Sequence, residues 1–202
     1  MSVSETGTKQ SVEGPGLSAP HDAADVLRIF QHSFPIGFHR LFNTSDDRIA
    51  VLEAVADWSN AVIARDNGLP CGILGLRHAK GSFTNGISPG LRARYGQVGT
   101  GWRRLAMSGL DSHEYDPVLL IDGIAVDPAM RRGGIGRALI NAAMGEVARR
   151  GLNGLRLDVD ARNEGAIRFY RALGFTLTRE REIGPSRYVL GVSRVLTFTL
   201  WR

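Results

Sequence analysis

Ile124-Ala-Val-Asp-Pro-Ala-Met-Arg-Arg-Gly-Gly-Ile-Gly-Arg-Ala-Leu139 is the stretch whose reading decides the fold. It follows an apolar run from Leu119 to Val126 that reads as a buried strand. Asp127-Pro128 stops that strand, because proline cannot donate to a ladder and restricts the residue before it. Two arginines and three glycines come next, and then a strong helical pattern begins. Glycines at a strand-to-helix junction let backbone N–H groups approach a ligand, and the helix N-terminus adds partial positive charge. Arg131, Arg132 and Arg137 surround the turn with full charges. The segment reads as an anion cradle, for which pyrophosphate is the first candidate.

Two familiar phosphate motifs fit poorly. A P-loop ends in Gly-Lys-Ser/Thr, and the chain has only Lys9 and Lys80, neither nearby. In a dinucleotide fingerprint Gly134 and Gly136 would be the first two glycines, but the third position is Leu139. Asp158 falls roughly where the ribose-binding acid of that motif would stand, so a dinucleotide-binding oxidoreductase stays as a competing class. The pattern Arg/Gln-x-x-Gly-x-Gly/Ala fits without forcing at Arg131, Gly134 and Gly136. A second pattern lies downstream, Asn-x-x-Ala-x-x-x-Tyr-x-x-x-Gly-Phe, at Asn163, Ala166, Tyr170, Gly174 and Phe175. Asn163 is a good helix N-cap and Gly174 a good stop.

These two segments, in this order, resemble the GNAT superfamily of N-acetyltransferases over residues 119–175. The resemblance implies an α/β (α+β type) fold, a mixed central sheet flanked by helices, and acetyl-CoA as co-substrate. It implies that Ile124, Ala125 and Val126 pair with the pantetheine arm. Arg131, Arg132, Gly133, Gly134, Ile135, Gly136, Arg137 and Ala138 would hold the pyrophosphate. Asn163 and Ala166 would contact the cofactor chain, and Tyr170 would protonate the leaving sulfur. Asp122 is the candidate general base, read as sharing a strand face with Ile124 and Val126. Glu114 and Asp116 are further candidates, and a water chain is an alternative. A non-catalytic acyl-CoA sensor or interaction module on the same fold is the runner-up.

The rest of the chain sets bounds. With 202 residues, 43% hydrophobic and 22% charged, it is expected to form one domain over residues 21–202. Residues 1–20 are rich in Ser, Gly, Thr and Pro and read as a disordered tail. Neither a span-length apolar run nor a signal-peptide pattern is present, and one cysteine excludes an internal disulfide. A cytoplasmic setting without a membrane or a metal follows as the default. Net charge is +5, but the arginines are scattered without interleaved aromatics, so nucleic acid is not expected. The acceptor is left as a small-molecule amine or a protein or peptide amine, and a homodimer is left open. The five histidines show no metal-ligand spacing, and most of them read as surface or structural.

Helices are expected over about 22–34 and from Asp46, a hairpin around Asp66-Asn-Gly68, and late strands at Phe175–Glu182 and Tyr188–Trp201. The family's usual first strand is not evident before Asp22. A long insert, about 79–117, precedes the cofactor-binding strand, with helical pieces at Leu91–Tyr95 and Trp102–Leu110. Its Tyr95, Trp102 and Tyr115 suggest that it packs beside the thioester and selects the amine.

Overall fold

The computed structural model describes residues 10–34, 36–84, 86–107, 117–184 and 187–202. In chain order they form β1 (Gln10–Glu13), α1 (Ala23–Phe30), α2 (Ser45–Glu53), β2 (Ala61–Asp66), β3 (Leu69–His78), β4 (Gly81–Ser82) and α3 (Ser88–Met107). Then follow β5 (Val118–Val126), α4 (Ile135–Arg149), β6 (Gly154–Asp160), α5 (Glu164–Ala172), β7 (Thr176–Glu182), α6 (Arg187–Leu190) and β8 (Arg194–Trp201). The strands build one mixed sheet in the order β1-β2-β3-β5-β6-β8-β7, with β4 also on β3. Every pair is antiparallel except β5 with β6. The expected α+β architecture is observed.

The sheet is apolar on both faces, which is why β2 and β3 read as near-continuous hydrophobic runs. Val62, Leu74, Leu76 and Leu119 face α4, against Leu139, Ile140, Ala143 and Val147. Ile63, Ile73 and Ala125 face the other way, against Val26, Leu27 and Phe30 of α1 and Leu52 of α2. α4 carries both apolar and charged positions at helical spacing, so only one stripe is buried. Thr44 caps α2, its hydroxyl accepting from the Asp47 N–H at 3.0 Å.

Four expectations need correction. Residues 10–20 are not a disordered tail: β1 pairs with β2, and Gly16 donates its N–H to the Ser59 carbonyl at 2.9 Å. Arg65, 8% exposed, fastens this segment by bonding to Glu13 and, at 2.6 Å, to Asp22. β1 left no hydrophobic pattern because all four of its residues are exposed. Residues 1–9 lie outside the described residues. In the insert, Gly81–Ser82 is strand β4 rather than loop, while α3 is two helical segments meeting at the non-helical Gly96, so both expected helical pieces are present with other bounds. Arg94 and the Tyr95 hydroxyl both donate to Asp47, at 2.7 and 3.1 Å, which docks α3 on α2. Tyr188–Trp201 is not one strand. Its first residues wind into α6, because a short apolar run is ambiguous between the two periods.

The fourth correction concerns Asp122. β3 and β5 slip register between Gly75 and Leu76, which pair with Gly123 and Ile121, so Asp122 is an extra, bulged residue. The bulge resets the alternation. Ile121 and Ile124 pack toward α4, whereas Asp122 leaves their face and bonds to Arg77 and Thr84.

Gly123, beside the bulge, lies under α1. A Cβ there would stand 2.5 Å from Ser33 Oγ and 2.9 Å from Phe30 Cε2. Gly123→Val should therefore lower stability by about 1–3 kcal/mol through overpacking, measured by urea unfolding. Gly145, in mid-α4, meets nothing within 4 Å. Gly145→Ala should raise stability by about 0.5–1 kcal/mol in the same assay.

Candidate functional site

β5 and β6 run together for only three residue pairs, Val118–Gly154, Leu119–Leu155 and Leu120–Arg156. The bulge at Asp122 then bends β5 away, since an extra residue kinks its strand and increases the local twist. Beyond that point each strand keeps its outer partner, β3 or β8, and loses its inner one. The result is a wedge in mid-sheet. Its β5 wall, Ile121 to Val126, presents backbone N–H and C=O groups to the gap. A cleft of about 1350 Å³ fills this wedge and opens toward α1, α3 and α6.

The bulge is clamped by two residues. Arg77 of β3 donates through Nε to Asp122 Oδ1 at 3.0 Å and makes a second contact through Nη2. The Thr84 N–H and hydroxyl donate to Oδ2 at 3.0 and 2.5 Å. The Asp122 side chain is 3% exposed. Both of its oxygens are therefore engaged, and proton acceptance would have to break this clamp. Arg77 and Thr84 had no sequence signal, because only the tertiary fold brings three distant segments together.

At the far end of β5 the chain turns into the anion cradle. Asp127 takes the Ala129 N–H at 2.8 Å and closes a short turn. Arg131 Nε donates to the Val126 carbonyl at 3.2 Å, so this arginine folds back on the strand end. Gly134 caps α4 with φ +81°, a conformation that costs an L side chain strain and glycine nothing. Arg132 also has a positive φ, +68°. The first intrahelical bond runs from the Ala138 N–H to the Gly134 carbonyl, so the N–H groups of Ile135, Gly136 and Arg137 have no acceptor inside the helix. Ile135 is buried in the core, Ala138 half-buried and Arg137 exposed. Gly136 lies against Phe169 of α5, where a Cβ would stand 3.0 Å from the ring. Arg132, Gly133 and Gly134 are exposed, and the turn is continuous with the open β5 edge.

The other expected residues flank the wedge. Ile124 and Ala166 line it, while Ala125 is buried against the α1 cluster and Val126 packs on the α4 side. Asn163 caps α5, its Oδ1 accepting the Ala166 N–H at 3.1 Å, which leaves its NH2 to reach a ligand. Tyr170 lines the cleft at 7% exposure, its ring among Phe169, Phe175 and Phe198 at 5.4–6.5 Å. Burial pushes its phenol well above the ordinary value near 10, so it stays protonated across the physiological range. Of the insert, Ile87, Ser88, Gly101 and Arg104 line the cleft, whereas Trp102 is 46% exposed under Arg103. Tyr115, Glu114 and Asp116 lie outside the described residues. His32, read as surface or structural, lines the cleft. Among the described residues no group of three or more His, Cys, Asp or Glu is placed to hold a metal, and no helix is long and apolar enough to cross a membrane.

Residues 24–175 match the family model described as the acetyltransferase (GNAT) family. The chain belongs to this family. Over 79 residues it is 38% identical to a mycothiol acetyltransferase of Streptosporangium roseum, covering 39% of this chain and 23% of that protein. Over 52 residues it is 48% identical to the ribosomal protein bS18-alanine N-acetyltransferase of Escherichia coli, covering 26% of this chain and 35% of that enzyme. The matches thus span about a quarter to a third of these relatives. The crystal structure of the latter enzyme aligns with TM-score 0.55 at 18% identity, over 96% of this chain and 94% of that one. Ard1 from Thermoplasma volcanium aligns with TM-score 0.58 at 20% identity, over 95% and 97%. These structures show the shared GNAT fold. The dinucleotide-binding alternative is set aside by the family match and by Leu139, which is fully buried in the core.

The Tyr170 phenol has a stability signature. A folded-state value raised above the unfolded one leaves stability complete below about pH 10 and removes it as pH rises further, because only the unfolded chain ionises. Urea midpoints from pH 8 to 11 should fall for the native chain and fall less for Tyr170→Phe.

Proposed function

We propose that this chain transfers the acetyl group of acetyl-CoA to an amine by direct attack in a ternary complex. The observation that carries the reading is the open inner edge of β5, running from the clamped bulge to the glycine cradle of α4. The pantetheine arm has amides that can add to such an edge as an extra strand would. Ile135, Gly136 and Arg137 would offer N–H groups to the pyrophosphate, with Arg131, Arg132 and Arg137 adding charge. The bound thioester supplies an acyl carbon with a thiolate leaving group. The β5 edge aligns it, which is where most of the rate gain of such a site arises.

Proton handling falls to few groups. The Tyr170 hydroxyl has no hydrogen-bond partner among the described residues and stays protonated, so it is the group we assign to deliver a proton to sulfur. Asp122 is better suited to positioning than to base catalysis, since Arg77 and Thr84 occupy both its oxygens. The amine then loses its proton to water in the cleft. That engagement of Asp122 also favours a second reading, an acyl-CoA-binding module that does not transfer.

Thermal melts with acetyl-CoA and with coenzyme A should rise, by about 2.7 kcal/mol of added stability at a hundredfold excess over Kd. Gly134→Asp should abolish the rise, because a carboxylate repels phosphate and the residue needs a positive φ. A larger shift with NAD would contradict the proposal. With an accepted amine, Tyr170→Phe should lower kcat by about tenfold or more at unchanged coenzyme A affinity. A rise in melting temperature with no thiol release across amines and peptides would favour the binding module.

A further inference from the structure

Among the described residues, the cleft lining carries more arginines than acids to neutralise them. Five arginines and three aspartates among the described residues line the cavity. Each of these aspartates has an arginine partner in the same lining: Asp122 with Arg77, Asp160 with Arg162 at 2.7 Å, and Asp158 with Arg181 at 3.8 Å. Two arginines are left over. Arg40 comes from the 3-10 turn Ile36–Leu41 and Arg104 from the C-terminal half of α3, and neither has a hydrogen bond or ion pair among the described residues. They are separate from the pyrophosphate cradle, which has its own arginines at 131, 132 and 137. Phosphates held there leave Arg40 and Arg104 unused.

The wall around them has room and apolar surface. Gly101, one turn before Arg104, lines the same cleft, and a Cβ added to it would meet nothing within 4 Å. Phe34 stacks on Phe38 with centroids 4.1 Å apart, and both rings line the cavity.

We infer that the acceptor is a small amine carrying its own anionic group, held by Arg40 and Arg104 with its apolar body beside Phe34 and Phe38. This rests on the acetyl-transfer reading above and specifies its second substrate. Guanidinium groups bind carboxylate and phosphate through paired, charge-assisted hydrogen bonds. The same field acts on the nucleophile. Positive surroundings disfavour an ammonium ion, so they lower the amine's pKa and raise its neutral fraction. That matters in a wall whose three aspartates are all engaged. Transfer forms the N–C bond, breaks the C–S bond, and moves one proton overall from nitrogen to sulfur, through water and the Tyr170 phenol.

The test uses acceptors matched except for the anion, on the full chain. Phenylalanine is set against phenylalaninamide, and O-phosphoethanolamine against ethanolamine, by coenzyme A thiol release. In one pair the anionic member should show a kcat/KM higher by about tenfold or more, as expected for hydrogen bonds to a charged group. The pair that responds tells carboxylate from phosphate. Arg40→Gln and Arg104→Gln, both at exposed positions, should each erode that preference while coenzyme A still raises the melting temperature. A neutral member equal or better in both pairs overturns the inference, as does a peptide preferred over every anionic small amine. Should no amine turn over, the transfer reading fails on this panel, and product binding decides the acceptor claim alone. N-acetylphenylalanine and N-acetyl-O-phosphoethanolamine are then compared by calorimetry with N-acetylphenylalaninamide and N-acetylethanolamine, on protein saturated with coenzyme A. Tighter binding of an anionic product, lost in Arg104→Gln, sustains the claim. Equal or weaker binding of both overturns it.

Discussion

The rest of the structure depends on the bulge at Asp122 and the carboxylate clamp that holds it. β5 pairs with β6 up to Leu120, and the bulge begins at the next position. A regular β5 would continue its parallel ladder and leave no wedge. The clamp ties β5 to β3 through Arg77 and to the segment after β4 through Thr84, so the bend is fixed by two other parts of the sheet. A buried charge with both oxygens bonded suits a structural device, because removing either partner leaves costly unsatisfied groups. The unpaired groups along the wedge face a wide cleft, where water can satisfy them until a ligand does.

Two ends of one open edge then divide the work. The α4 end offers helix N–H groups, a left-handed Gly134 and arginines, all suited to phosphate. The end near α1 and α3 offers Phe34, Phe38 and two arginines that are unmatched among the described residues. Tyr170 sits between them, its ring held by aromatic neighbours and its hydroxyl without a hydrogen-bond partner among the described residues. Charge in the cleft is therefore not diffuse. Among the described residues, each aspartate of the lining has an arginine partner, and Arg40 and Arg104 have no acid.

What the sequence made legible was local. The cradle from Arg131 to Ala138, the Asn163 cap and the Tyr170 helix each lie within one short segment, where spacing alone specifies geometry. β2, β3 and β5 were readable as near-continuous apolar runs, and β6 because apolar and polar residues alternate along it. β1 was not, since its four residues are exposed and their order comes from backbone pairing and from Arg65. The face of Asp122 was misread for a related reason. Alternation along a strand assumes a regular ladder, and a bulge is a property of the pairing between strands. The Arg77 and Thr84 clamp and the Arg40 and Arg104 pair join segments far apart in the chain, so no spacing could have announced them.

The central claim is that the inner edge of β5 is an open ladder that a pantetheine arm completes. Amide hydrogen exchange with and without coenzyme A reads this directly. The account predicts new protection among the gap-facing amides of residues 121–126 and at residues 135–137, with little change in β2 or β7. Protection confined to other strands, or none at residues 121–126 with coenzyme A bound, would contradict it.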